Sequence, residues 1–260
     1  MITMTAPIYF GGVDLNSVSG WLTTGTDTFR YPSRKVNNFN ISQSNNSVTT
    51  SAFFEGRSVN IRGIIRVSGR ELLDDSVSEL RRILEPSNQV LQMPISGNQR
   101  KFNDVTVSNV VISDVNGGMA RIDIEFKTSD PFNYALSTTE SLNVSNLTTT
   151  PKQYQIAFDG TTKQLPIIMC TFDSLTGTTV SAVTLTNMAD SSSISISRVW
   201  SASDILIVDS QTQTVTVNGT VVDFTGNFLS FYKGLNYIQY SDGLTARQVD
   251  INVTYTKRYS

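Results

Sequence analysis

Histidine is absent from all 260 positions of the sequence. Histidine is the commonest general base near neutral pH, the usual activator of serine and cysteine nucleophiles, and a frequent ligand of catalytic metals. Its absence argues against most hydrolases and metalloenzymes. We predict that the protein is not an enzyme, that it has no catalytic, cofactor-binding or metal-binding residues, and that it needs no cofactor.

Cysteine and charge are scarce as well. The single cysteine, Cys170, follows the apolar residues Pro166-Ile167-Ile168-Met169, so no intrachain disulfide can form and a small buried side chain is expected. Charged residues make up only 16% of the chain, and the net charge is −2 without a run of one sign. The sequence therefore lacks the basic surface that nucleic-acid backbones require.

Export and membrane signals are also lacking. The first residues contain no basic segment followed by an apolar one, and no stretch approaches the roughly 18 apolar residues that span a bilayer. No glycine-rich phosphate-binding pattern opens a helix. We expect a soluble protein that is made in the cytoplasm and does not contact a membrane.

The residues that are present favour a mainly β protein with one notable α-helix. Hydrophobic residues make up 39% of the chain, and much of the rest is serine, threonine and asparagine, which is typical of β-rich proteins. Because single cores usually stop growing at roughly 100–200 residues, two domains are favoured over one. The composition shifts over residues 134–155, which predicts domains 1–133 and 134–260 with 134–155 as the inter-domain region.

The first segment with a clear periodicity is residues 58–67, where apolar and polar residues alternate as in a strand. Val59, Ile61, Ile65 and Val67 share one face with Gly63, which indicates a bulge or a close backbone approach at that glycine.

A helix is predicted from about Gly69 to Glu85. Its apolar positions recur at helical spacing, Ser68 and Glu71 form a capping-box pattern, and Pro86 ends it. Strands at 102–112 and 119–127 follow, joined by the tight turn Asn116-Gly117-Gly118 and ended by Asp130-Pro131-Phe132.

The second half alternates between short strands and turns, without a helical pattern. Asn218-Gly219 and Asp242-Gly243 predict two hairpin turns. The pattern predicts a β-sandwich or jelly roll. The predicted strands are residues 164–172, 180–187, 193–200, 204–208, 214–217, 221–224, 236–240 and 248–255.

Two other functions stay open from the residues alone. Aspartates could meet in space as the acid and base of a glycosidase: Asp74, Asp75, Asp204, Asp209, Asp223 and Asp250. Aromatic side chains could stack on sugar rings, although core packing explains them as well: Trp21, Trp200, Tyr232, Tyr237 and Tyr240. Residues 42–51 are polar and predict a loop, either disordered or ordered only on assembly.

The order of these elements resembles the distal tail protein family of siphophages. An alternating strand, one helix ended by Pro86 and a hairpin ended by Asp130-Pro131-Phe132 precede an all-β module. Short stretches of the second half resemble, in order, the family's C-terminal domain: Leu165-Pro166-Ile167-Ile168, Val183-Thr184-Leu185-Thr186-Asn187, Asp204-Ile205-Leu206-Ile207-Val208-Asp209, Thr214-Val215-Thr216-Val217-Asn218-Gly219, Lys233-Gly234-Leu235-Asn236-Tyr237-Ile238 and Val253-Thr254-Tyr255-Thr256-Lys257-Arg258-Tyr259.

This resemblance implies a structural protein of the virion at the phage tail tip, or baseplate. Residues 1–133 would be a ring-forming belt domain that closes a homo-hexamer, as one ring or two stacked rings, and residues 134–260 a galectin-like β-sandwich outside it. The ring would join the tail tube protein to tail-tip, tail-associated or receptor-binding proteins, and DNA would pass through its lumen without specific binding. The alternative is a host-surface carbohydrate-binding adhesin module. Such a ring needs head-to-tail surfaces, which exposed strand edges can supply.

Overall fold

The computed structural model describes residues 6–27, 34–40, 47–176 and 180–260. The chain divides into two compact units, Met1–Leu136 and Ser137–Tyr259, each with its own hydrophobic core. Most described residues lie in antiparallel strands, and α1 is the one α-helix among them, which confirms the predicted mainly β class. The division falls close to the predicted boundary after residue 133.

The N-terminal unit is a β-sheet covered on one face by a helix. Its sheet order is β3-β6-β9-β8-β7-β1-β2, and β4 and β5 pair only with each other among the described strands. The elements are β1 (Tyr9–Phe10), β2 (Val13–Asp14), β3 (Trp21–Asp27), β4 (Arg34–Asn40), β5 (Ser47–Phe54), β6 (Arg57–Arg66), α1 (Arg70–Leu84), β7 (Gln89–Ile95), β8 (Asn98–Asn116) and β9 (Met119–Thr128), with a short 3-10 helix at Leu15–Ser17.

Strand β6 confirms the predicted alternation. Val59, Ile61 and Ile65 are buried, and Gly63 between them leaves room for the ring of Trp21 on the neighbouring strand. A Cβ at residue 63 would lie 2.3–2.7 Å from three atoms of that ring. The close approach predicted at Gly63 is therefore made by a side chain, and the bulge lies on the neighbouring strand β3, between Thr23 and Gly25, and not at Gly63 itself.

Replacing Gly63 by alanine is expected to destabilise the N-terminal unit by about 1–3 kcal/mol, because a methyl group forced into a packed core must displace the indole of Trp21. Hydrogen-exchange protection of β3 and β6 would measure the loss. Gly25→Ala is the matched control, since a Cβ there meets nothing within 4 Å. Equal protection of the two variants would contradict the expected clash.

Helix α1 packs its apolar side on this sheet through Leu73, Leu80, Ile83 and Leu84. The predicted capping box is wrong. Gly69 occupies the N-cap position in an extended conformation, and no side chain caps the helix there. A serine caps only from the N-cap position itself, and Ser68 lies one residue too early.

The β8–β9 hairpin turns at Gly117-Gly118, as predicted, and Asp130-Pro131-Phe132 follows the end of β9. Two other features differ from the sequence analysis. Strand β7 was not predicted. The predicted polar loop at 42–51 is strand from Ser47 onward, because Val48 and its β-branched neighbours pair with β4, while residues 42–46 lie outside the described residues.

The C-terminal unit is the predicted β-sandwich. One sheet has the order β17-β16-β15-β12-β20-β10 and the other β11-β19-β13-β14-β18, and both contribute side chains to one core. The strands are β10 (Asn133–Leu147), β11 (Lys152–Phe158), β12 (Ile167–Thr176), β13 (Val180–Asn187), β14 (Ser193–Val199), β15 (Ile205–Asp209), β16 (Thr214–Val217), β17 (Thr220–Val221), β18 (Thr225–Gly226), β19 (Gly234–Asp242) and β20 (Thr245–Tyr259).

Strands β13 and β16 have the predicted bounds, and Asn218-Gly219 forms the predicted turn with positive φ at both residues. Three predictions need correction. The region 134–155 contains most of β10 and the start of β11. Residues 222–224 are not strand. Asp242-Gly243 is not a hairpin turn, because β19 pairs with β11 and β13 whereas β20 pairs with β12 and β10.

Candidate functional site

Four of the six aspartates considered as an acid and base pair have structural partners instead. Asp204 is buried and accepts hydrogen bonds from the Ser201 backbone and the Asn218 amide. The other partners are as follows: Asp74 pairs with Arg70, Asp209 accepts from the backbone of Gln211 and Thr212, and Asp250 accepts from the backbone of Asn146. Asp75 lies on α1, and Asp223 lies in the segment after β17. The described residues include no cluster of three or more potential metal ligands.

Three of the five candidate aromatic residues lie in cores. Trp21 belongs to the N-terminal core, and Trp200 and Tyr240 belong to the sandwich core. Trp200 donates from Nε1 to the carbonyl of Ser181 at 2.9 Å, and its ring lies 4.7 Å from that of Phe172. Burial raises the pKa of Tyr240 well above the ordinary value for a phenol. These three residues are therefore not available as a sugar-binding platform.

Tyr232 and Tyr237 remain accessible, with exposed fractions of 64% and 46%. The Lys163 ammonium group lies 5.2 Å from the centre of the Tyr232 ring, and the exposed Leu235 lies between the two tyrosines in sequence. Two of the five sequence candidates thus remain exposed, and one of them, Tyr232, lies next to a basic side chain.

Cys170 is buried in the sandwich core, as predicted, and burial raises the pKa of its thiol from 9.0 to about 12. Because the unfolded thiol ionises at lower pH than the folded one, this residue lowers the free energy of unfolding as pH rises above about 8.5. We expect the thiol to react with an aromatic disulfide reagent at pH 8 only after denaturation. Rapid reaction of the native protein would contradict the buried assignment.

One group of charged side chains in the N-terminal unit lies on the sheet face opposite α1. The Arg62 Nε lies 3.6 Å from Asp123, and the Arg121 guanidinium lies 3.0 Å from Asp114. These pairs flank an open depression of about 710 Å³ lined also by Thr24, Gly25, Asn60 and Ile64. Two cations thus face two carboxylates, so the surface has little net charge.

A second, smaller cleft of about 400 Å³ lies between α1 and the β8–β9 hairpin. Val77, Ile112 and Val115 give it an apolar floor, with Arg70 and Arg81 at its border. Of the residues that line this cleft, the sequence indicated only Asp74 as a candidate, because the accessibility of the others depends on how the helix and the hairpin pack. No helix among the described residues is both long and apolar enough to span a bilayer.

Comparisons with known proteins point to one family. Residues 159–259 match the family model described as the siphovirus-type tail component, C-terminal domain. The fold is similar to the crystal structure of the Dit protein (gp 19.1) of SPP1, described as a paradigm of the hub adsorption apparatus in phages that infect Gram-positive bacteria. The TM-score is 0.74 at 14% identity, with 98% of this chain and 99% of that chain covered.

Two structures of the phage P2 baseplate in its activated conformation, with Ca and with Sr, match with TM-scores of 0.43 and 0.42. Their identities are 10% and 11%, and each match covers 93% of this chain and 92% of that chain. No curated protein sequence gives a significant match. Residues 159–259 thus resemble the C-terminal domain of siphovirus-type tail components, and the whole chain has the fold of the SPP1 Dit protein, in agreement with the resemblance found in its sequence.

Proposed function

We propose that this protein is the structural hub of a phage tail tip: a hexameric ring, single or stacked in pairs, that joins the tail tube to the tip proteins below. The observation that carries the proposal is the whole-chain fold match to a protein described as a hub. Because that match covers both units, it extends beyond the C-terminal domain that the family model recognises.

The two units would have different roles in the assembly. Residues 1–133 would close the ring as a belt domain, and residues 134–260 would form a sandwich on its outer side that contacts tail-associated or receptor-binding proteins. Separate cores support this assignment, because each unit can then keep its fold while serving a different partner. The mature protein would be located in the virion after synthesis in the host cytoplasm.

A non-enzymatic role fits the chemistry of the chain. The sequence contains no histidine, and most of the candidate aspartates already hold backbone or side-chain partners. A lumen that DNA crosses without being bound would also fit the net charge of −2 and the paired charges of Arg62 and Arg121.

Light scattering and electron microscopy of the purified full-length protein test the ring. We expect a mass six or twelve times the 28.6 kDa chain mass and class averages with a central opening. A monomer that persists at high concentration, together with images free of rings, would overturn the proposal.

A sugar-binding role on the outer unit is the second candidate, favoured by the exposed rings of Tyr232 and Tyr237. Aromatic faces can stack on the apolar face of a sugar ring. A glycan array with the full-length protein should then give a signal that the Tyr232→Ala and Tyr237→Ala pair removes and Phe224→Ala, at another exposed site, retains. Absence of any signal at millimolar sugar would dismiss it.

A further inference from the structure

The tripeptide Val-Asn-Gly occurs twice in the chain, at residues 115–117 and 217–219. Both copies lie at turns between antiparallel strands, β8–β9 in the N-terminal unit and β16–β17 in the C-terminal unit, and both asparagines are exposed. In an Asn-Gly sequence the backbone nitrogen of the glycine can attack the amide carbon of the asparagine side chain, because glycine has no side chain that hinders the approach. The same reactive group is therefore present in two different surroundings.

The side chain of Asn218 is held by two hydrogen bonds. Its Oδ1 accepts from the backbone N–H of Ile205 at 2.9 Å, and its Nδ2 donates to the carboxylate of Asp204 at 2.8 Å. Asp204 is itself buried, and the backbone N–H of Asn218 donates to the Ile205 carbonyl at 2.9 Å. The amide carbon can approach the Gly219 nitrogen only after these bonds break, so ring closure at this turn is hindered.

The side chain of Asn116 is not held in this way. Its amide makes no hydrogen bond to the residues that the structure describes. The space around the next residue is also open, since a Cβ at Gly117 would meet nothing within 4 Å. The amide of Asn116 can therefore rotate towards the Gly117 nitrogen without losing a contact.

Strand pairing around Asn116 is short as well. Asn116 pairs with Met119 across the turn, but the next paired residue of β8 is Ser113, because a register irregularity separates the two. Asp114 lies within this irregularity with a φ of 49°. A single residue pair thus joins the turn to the irregularity. Local opening of such a tip costs much less free energy than global unfolding.

We propose that Asn116 is a site of spontaneous deamidation and that its hydrogen bonds protect Asn218 from the same reaction. The Gly117 nitrogen forms a bond to Cγ of Asn116 and loses its proton, while the bond from Cγ to Nδ2 breaks and ammonia leaves. Water then opens the succinimide ring at either of its two carbonyls, which gives aspartate or isoaspartate at position 116. Both products add one negative charge, and isoaspartate also adds one carbon atom to the main chain.

Isoaspartate at position 116 would act on the contact between the hairpin tip and the residues that precede α1. The Gly118 carbonyl accepts from the N–H of Val67 at 2.8 Å, and a Cβ at Gly118 would lie 2.0 Å from the Val67 carbonyl oxygen. Such a close approach does not tolerate a main chain that is longer by one atom. We expect faster hydrogen exchange at Val67 in the isoaspartate form, with no change in the C-terminal unit.

Incubation of the full-length protein at alkaline pH, followed by peptide mass spectrometry, tests the assignment. Trypsin releases the two sites on different peptides, residues 102–121 and 199–233. We expect residue 116 to gain one mass unit about tenfold faster than residue 218, or more, because opening the tip costs less than breaking the bonds of Asn218. The protein in denaturant is the matched control, since the two tripeptides are identical and their rates should then agree within about twofold.

Two variants complete the test. Asn116→Gln should abolish the mass gain at residue 116, because the longer side chain forms its ring much more slowly. Asn116→Asp has the new charge without the longer main chain, so exchange at Val67 should stay close to that of the unmodified protein. Equal rates at the two sites in the folded protein, or conversion of residue 116 only in denaturant, would overturn the proposal.

Discussion

Replacing Asp242 by alanine is expected to lower the free energy of unfolding of the C-terminal unit by about 3–5 kcal/mol, because the variant leaves a buried guanidinium without its counter-ion. The Arg247 Nε donates to the Asp242 carboxylate at 2.7 Å, and the two side chains are only 12% and 0% exposed. Arg247 also donates to the carbonyls of Thr148 and Leu244, and the Asp242 backbone donates to Thr150. The Asp242–Arg247 ion pair thus stabilises the connection between β19, in one sheet, and β20, in the other.

Chemical denaturation monitored by Trp200 fluorescence, in a Trp21→Phe background, would measure this loss in the C-terminal unit alone. The control is the double variant Asp242→Leu with Arg247→Met. Removing both charges should recover much of the stability, because apolar replacements of a buried ion pair are often neutral. A double variant that is as unstable as Asp242→Ala would show that the hydrogen bonds to the loop, rather than the charge, dominate.

Trp200→Ala should destabilise the same unit by about 3–5 kcal/mol, the range typical of large aromatic deletions in cores. The indole is buried against Phe172, and its N–H satisfies the Ser181 carbonyl. Far-UV circular dichroism during thermal unfolding would record the change, and Trp21 fluorescence would show that the N-terminal unit is unaffected.

A conservative variant separates packing from hydrogen bonding at this position. Trp200→Phe retains most of the apolar volume but removes the donor, so we expect a smaller loss of about 1–3 kcal/mol from the unsatisfied carbonyl. If Trp200 instead served as a sugar platform, its removal would change ligand binding with little effect on stability. A melting temperature unchanged in Trp200→Ala would therefore contradict the core assignment.

The periodic segments of the sequence were interpreted correctly, whereas several of the irregular segments were not. Alternation over residues 58–67 and 119–127 matches β6 and β9, and the helical spacing of Leu73, Leu80 and Leu84 matches α1. Each of these elements buries one face, so its periodicity is imposed by the core that it contacts.

Strand β10, which lacks a fully buried face, was not predicted. It has mostly exposed and half-buried residues and the composition of a polar linker, yet it pairs with β20 in the sandwich. Asp242-Gly243 has the composition of a hairpin turn, but the strands on either side of it enter different sheets. Turn chemistry fixes only local backbone geometry, whereas the pairing partner is a long-range choice.

The candidate surface residues also fall into those that the sequence indicated and those that only the tertiary structure identified. The sequence supplied Tyr232 and Tyr237 as aromatic candidates, but it could not separate them from Trp21, Trp200 and Tyr240, because exposure depends on neighbours that are distant in sequence. It gave no indication that Asn116 and Asn218, which stand in the same tripeptide, differ in their contacts. That difference follows from hydrogen bonds that only the tertiary structure forms.

The sequence by itself determined the chemical character of the protein and its secondary structure class. Lack of histidine, a single cysteine and a near-neutral charge are properties of composition, and strand or helix periodicity is local. Only the tertiary structure decided which strands meet, which aromatic rings are covered and which edges stay open. These properties arise from contacts between residues far apart in the chain, and the same local pattern is compatible with several pairings until the two cores select one.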